Sequence, residues 1–262
     1  MLRSGAIRAA LGALSMILFG TAAPAPELAQ GLTTHDWEAI WTGVLSRHVS
    51  EAGQIDFSAL QQDHGDLDRV VSFITTVDPR SQPNRFPDAH SRLSYYINAY
   101  NALAMYGVLQ AGTPSSLGGL TKFTFFYLRK FNVGGYAISL YDLENRIIRP
   151  IGDERVHFAL NCMVVSCPRL PRLAFSASTL DRQLDSAART FIGESRNVAV
   201  DPIAHEAQLS SIFKFYTEDF LAHAPSLVAY VNRYGARIPG DFKVRFFDYD
   251  WSVNDSSRQR TQ

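Results

Sequence analysis

The chain has 262 residues, and its 25 Lys and Arg balance its 25 Asp and Glu to a formal charge of zero. Scattered, balanced charge excludes the electrostatic footprint of a nucleic-acid binder, because no basic run is present to neutralise phosphates. Hydrophobic residues make up 46% of the sequence, enough to bury the core of one large domain.

Arg3 and Arg8 precede an apolar stretch at 9–19, and small residues and prolines follow through Pro26. This order predicts a secretory signal peptide over residues 1–29, cleaved between about 23 and 29. The apolar stretch is roughly half the ~20 residues of a spanning helix, so no membrane contact is expected after cleavage. The expectation is a periplasmic or secreted domain at 30–262, with a small molecule or peptide as partner and no cofactor. In an oxidising compartment its two cysteines, Cys162 and Cys167, become a disulfide or a deliberately kept thiol.

Along the mature chain, Trp37, Ile40, Trp41, Val44 and Leu45 share one helical face within 33–50, with Thr34 or Asp36 as cap. A second helix is predicted over 67–77, followed by a polar, proline-bearing loop over 78–88. The longest helix is expected at 91–110, where Leu93, Tyr96, Ile97, Tyr100, Ala104 and Val108 form a stripe. Asn98 and Asn101 fall along its edge, where they either bond nearby backbone or orient a histidine or a substrate carbonyl.

Aromatic and β-branched residues over 122–139, around Gly134-Gly135, predict a β-hairpin. A helix over 140–149 capped by Ser139 comes next, then a helix over 178–192. A strand pair is predicted at 197–201 and 207–210, helices at 211–221 and 225–234, and a final strand at 242–249. The sum is α+β, a helix-rich single domain with a small antiparallel sheet.

The chemistry concentrates in 155–170, which holds both cysteines, His157 and Asn161. Helix and strand both fit 155–164, and in either form His157 and Asn161, four apart, share a face. Cys167 precedes Pro168 and so belongs to a turn. Three states are open to it: a nucleophile activated by His157, one end of a bridge to Cys162, or an inert buried thiol. A bridge requires the helix to stop before Cys167, because five residues of continuous helix rise about 7.5 Å, beyond the roughly 7 Å span of bridged Cα atoms. Metal binding ranks lower, since Cys-x4-Cys needs His157 and the distant His205 to complete a zinc site, and no metal is expected. On 140–149, Glu144 either lies on a solvated face or supports His157, and Arg149 either does the same or receives an anionic group.

Six motifs in order give the chain a resemblance. Tyr96-Ile-Asn-Ala-Tyr-Asn-Ala102, the segment 139–149, Arg155-Val-His-Phe-Ala-Leu-Asn-Cys162, Ser166-Cys-Pro-Arg-Leu170, the segment 209–216 and Asp248-Tyr-Asp-Trp-Ser-Val-Asn254 together resemble the domain-of-unknown-function family 547. The resemblance implies Asn98, Asn101, Glu144, Arg149, His157, Cys162 and Cys167 as site positions, without an activity. The leading expectation is a thiol-dependent hydrolase or transferase acting on an amide or thioester. Cys167 would be the nucleophile, His157 its base, and Asn101, Asn161 or Glu144 an orienting group. The alternatives are a binding or scaffold domain with a structural Cys162/Cys167 turn and an aromatic surface at 123–131, or a thiol–disulfide redox protein.

Overall fold

A computed structural model describes residues 31–259, so the expected signal peptide lies outside the described residues. Helix α1 (Thr34–His48) is capped one residue before the first of the expected caps, Thr34. Thr33 is the N-cap and Asp36 closes a capping box back onto it. The short helix α2 (Phe57–Gln62) leads into α3 (Gly65–Thr76), and the loop after it holds a single 3₁₀ turn, Pro83–Arg85. Asp88 caps α4 (Ala89–Gln110), the longest helix.

Helix α4 departs from the amphipathic expectation: every residue from Leu93 to Leu109 is buried. A helix enclosed on all sides is the pillar of a core, and its polar side chains must find partners there. Asn98 does so by bonding both the N–H and the C=O of Phe175, at 2.9 and 2.7 Å. Around the pillar pack Trp37, Trp41, Phe57 and Phe73, each fully buried. At about 1.5–3 kcal/mol for each large buried apolar side chain, this aromatic shell outweighs the modest helix propensity of the tyrosines and asparagines on α4.

The segment expected as one long hairpin divides. Helix α5 (Gly119–Phe123) runs into a π-helical turn, Thr124–Leu128, and only β1 (Phe131–Val133) and β2 (Tyr136–Ile138) pair, with Phe131 opposite Ile138. Gly134 (φ 59°) makes the turn, and a Cβ there would collide with Asp78. The turn is pinned by Gly134 N–H to the carbonyl of Ile74 at 2.8 Å and Gly135 N–H to Thr75 at 2.9 Å.

Ser139 caps α6 (Leu140–Leu143), as expected of that serine. The helix then widens into a π turn at Glu144–Ile148 and passes through Pro150 as a 3₁₀ turn, ending at Gly152 (φ 92°). A further 3₁₀ turn, Glu154–Phe158, precedes α7 (Leu180–Gly193). Strands β3 (Val198–Asp201) and β4 (Glu206–Leu209) pair antiparallel at the expected place. The run predicted as one helix at 211–221 breaks at Tyr216 into α8 (Ser211–Phe215) and α9 (Thr217–Leu221). After α10 (Leu227–Arg233), strand β5 (Lys243–Phe246) pairs parallel with β4, so this sheet is mixed, and α11 (Ser256–Gln259) follows.

The fold is α+β with two hydrophobic clusters. The larger surrounds α4, and the smaller gathers Phe158, Phe191, Phe213, Phe220 and Tyr230. Tyr249 packs against both. The 3₁₀ turn at 154–158 and the C-terminal segment therefore meet along the seam between the clusters, where the candidate site lies. No helix among the described residues is long and apolar enough to cross a membrane.

Candidate functional site

The run 155–170 is helical only at its start. Asp153 caps the 3₁₀ turn, and Arg155 anchors it with ion pairs to Asp153, Asp181 and Asp185 at 2.6, 2.8 and 2.9 Å, which ties the segment to α7. Beyond Phe158 the chain leaves the helix and is held by side-chain amides. Asn101 on α4 accepts the Asn161 N–H at 2.7 Å and donates to the Ala159 carbonyl at 2.9 Å. Asn161 in turn accepts the Met163 N–H at 2.7 Å and donates to the Pro168 carbonyl at 2.6 Å. Met163 holds a left-handed conformation (φ 67°), which a non-glycine residue keeps only when its surroundings impose it.

This clamped loop carries the cysteines. With the helix ended, Cys162 and Cys167 come to a Cα separation of 6.2 Å and are bridged. Among the described residues there is no free cysteine. The loop docks antiparallel on 249–254 through Val165 N–H to Ser252 at 2.9 Å and Asn254 N–H to Met163 at 3.0 Å. That docking delivers Tyr249 and Trp251 to the same place. The Tyr249 hydroxyl lies 3.4 Å from Cys167 Sγ and 3.5 Å from Cys162 Sγ.

His157 turns to a different partner. Its Nε2 lies 2.8 Å from Asp219 Oδ2, and the same carboxylate is gripped by Arg149 through Nε at 2.8 Å and Nη2 at 2.7 Å. The hydrogen bonds from His157 and Arg149 hold the Asp219 carboxyl well below the usual carboxylate range. An ionised carboxylate only accepts, so Nε2 carries the imidazole proton. Nδ1 is buried without a hydrogen-bond partner. The imidazole stacks on the Tyr216 ring with centroids 3.8 Å apart, and the Arg149 guanidinium lies 5.3 Å from the same ring. His157 and Asn161 do not act together, because the chain turns out of its helix between them.

Glu144 is 8% exposed, on the π turn after α6. It lines the same cavity as Tyr100 and Tyr216 and acts on both phenols through its charge. Burial, and next the charge of Glu144, push the Tyr100 and Tyr216 phenols well above their ordinary range, and the same two causes act on Tyr249. None of the described ion pairs includes Glu144.

These residues enclose a cavity of about 380 Å³ lined by Tyr100, Phe126, Tyr127, Tyr141, Glu144, Arg149, His157, both cysteines, Tyr216, Tyr249 and Trp251. Lys122 stands at its edge with Nζ 4.3 Å from the centre of the Trp251 ring. The aromatic segment expected as an exposed surface is mixed. Phe125, Phe126 and Phe131 are buried, whereas Phe123 and Leu128 are 54% and 57% exposed. Phe123 stacks on Tyr127 at 5.6 Å and Tyr127 on Tyr141 at 4.4 Å, a ladder that ends in the cavity wall.

The structure thus brings Glu144, Arg149, His157, Cys162 and Cys167 to one cavity. It places Asn98, Asn101 and Asn161 behind the wall as backbone clamps. His205 sits in the β3–β4 turn against Phe242, 5.3 Å between rings. Among the described residues no group of three His, Cys, Asp or Glu gathers at metal-binding distance. Sequence reasoning overlooked Asp219, Tyr216 and Tyr249 as site residues, although Tyr216 and Tyr249 stood in quoted motifs.

Residues 85–192 match the model of the family described as protein of unknown function, DUF547. The match spans Asn98 through Cys167 and leaves Tyr216, Asp219 and Tyr249 beyond its end. No curated protein and no solved structure matches the chain.

Proposed function

The chain belongs to that family through residues 85–192, and on this premise we propose that it is an exported binding domain whose cavity takes the ammonium group of a small molecule or peptide. One observation carries the reading: Glu144 is a buried carboxylate facing an aromatic cavity, with no cation of the described chain paired to it. A carboxyl in no ion pair offers an incoming cation a charge-assisted hydrogen bond, which is stronger than a neutral one. Tyrosine faces around a carboxylate also attract cations through the ring quadrupole. The chain illustrates this at the cavity edge, where Lys122 rests over Trp251. Arg149 does not compete for Glu144, because Asp219 holds its guanidinium in a two-point grip.

The bridge argues against Cys167 as a standing nucleophile, since neither sulfur is a thiolate while they are joined. His157 is likewise committed to Asp219. Export is supported by the signal-like order of residues 1–29 and by a bridged cysteine pair, which persists in oxidising compartments.

The test is a thermal-shift series with ethanolamine, choline, lysine and short lysine-bearing peptides, run beside 3,3-dimethyl-1-butanol, the uncharged isostere of choline. The reading predicts stabilisation by at least one cation, none by the isostere, and loss of the shift in Glu144→Gln. Lysine peptides outperforming the small amines would identify the source as a peptide. The absence of any shift across the series would remove the proposal.

A further inference from the structure

We propose that the Cys162–Cys167 bridge is a thiol–disulfide exchange site of fixed polarity, in which a small-molecule thiol attacks Cys162 Sγ and Cys167 leaves as the thiolate. The inference goes beyond the ammonium-binding reading and does not rest on it.

Access and donor placement both distinguish the two sulfurs. Both cysteines line the cavity, but Cys162 is partly exposed and Cys167 is 3% exposed. An attacking thiolate approaching through the cavity therefore meets Cys162 first. The donors favour the same direction. Cys167 Sγ accepts the backbone N–H of Cys162 at 3.0 Å and lies 3.4 Å from the Tyr249 hydroxyl. Cys162 Sγ has the Tyr249 hydroxyl alone, at 3.5 Å. Donors aimed at a sulfur stabilise its thiolate, and the sulfur with the more stable thiolate is the better leaving group. Burial keeps the Tyr249 phenol protonated, so its O–H is available to donate. A cavity of about 380 Å³ admits a small thiol.

The exchange balances in two steps. A thiolate RS⁻ forms a bond to Cys162 Sγ while the bridge breaks, and the electron pair of the broken bond stays on Cys167 Sγ, which accepts the two donors. A second thiolate then attacks the R sulfur of the mixed disulfide, forming RSSR and releasing Cys162 as thiolate. Two thiols are oxidised to a disulfide, and the bridge takes up two electrons and, on protonation, two protons.

The test treats the folded protein with 2-mercaptoethanol, which carries no charge for Glu144 to bind, then quenches early with iodoacetamide and maps both cysteines by tandem mass spectrometry. The expected product carries the mercaptoethanol adduct on Cys162 and the carbamidomethyl group on Cys167, in excess over the converse of roughly tenfold or more. The Tyr249→Phe variant should react about three- to tenfold more slowly with the same assignment. Adducts on Cys167, an even split, or a bridge that reacts only after denaturant is added would each overturn the proposal. A Tyr249→Phe rate equal to the parent's would overturn the assignment of Tyr249 as donor. Choline binding that persists whatever the mapping shows would keep the two readings separate.

Discussion

Nε2 of His157 lies 2.8 Å from Oδ2 of Asp219, a carboxylate 62 positions further along the chain. The bond joins the 3₁₀ turn that opens the cysteine run to α9, and Arg149 reaches the same carboxylate from the turn after α6. Three elements are thereby locked behind one wall of the cavity.

Replacing Asp219 with Asn should remove both charged contacts and cost about 1–3 kcal/mol of unfolding free energy, the range for hydrogen bonds to charged groups at a partly exposed site. The folded-state pKa of Asp219 is depressed below its ordinary 3.8. Its stabilisation is therefore fully present above that value and is lost as the pH falls below it towards the folded pKa. Urea unfolding of parent and variant should differ at pH 7 and converge in stronger acid. A difference that does not shrink between pH 4 and pH 2 would contradict this account.

His48 has a linkage of the same sign in a higher pH window. It is 5% exposed, neither ring nitrogen has a hydrogen-bond partner, and burial followed by the nearby Arg47 charge lowers its pKa below 6.5. Below pH 6.5 the unfolded chain binds a proton that the folded chain resists, so stability declines as the pH falls through that value. His48→Leu should flatten the decline between pH 7 and 5 in thermal melts. A variant with the parent's slope would place the titrating group elsewhere.

Asn101→Ala should cost about 2–4 kcal/mol, because it leaves the Asn161 N–H and the Ala159 carbonyl buried without partners. The loop these bonds clamp carries the bridge, so limited proteolysis between 159 and 168 should accelerate as well. Unchanged stability in denaturant would mean that water or a shifted loop satisfies both groups.

Much of this fold is legible in the sequence where local pattern and tertiary demand agree. Helices α1, α3 and α7 and the β3–β4 pair fall at their predicted places because apolar spacing marks them, reinforced at α1 by a capping box. Residues 123–128 mislead, since Phe123, Phe125, Phe126 and Tyr127 carry strand propensity but fold as helix. Two of those rings enter the core and two form an exposed ladder, a division that tertiary packing decides. The burial of α4 on every side has no local signature in its spacing, because the covering comes from segments as distant as Phe175. The cysteine run is identifiable from composition. Its partners are not, because Asp219 and Tyr249 reach it only through the seam between two clusters.

Glu144 is the residue on which the functional account stands, and a calorimetric titration of choline into the parent protein and Glu144→Gln tests it most directly. The account predicts saturable binding to the parent, weakened at least about tenfold in Glu144→Gln, a loss of roughly 1.4 kcal/mol or more. The isostere 3,3-dimethyl-1-butanol should bind neither protein. Equal affinity of choline for both proteins, or binding of the isostere as tight as that of choline, would contradict it.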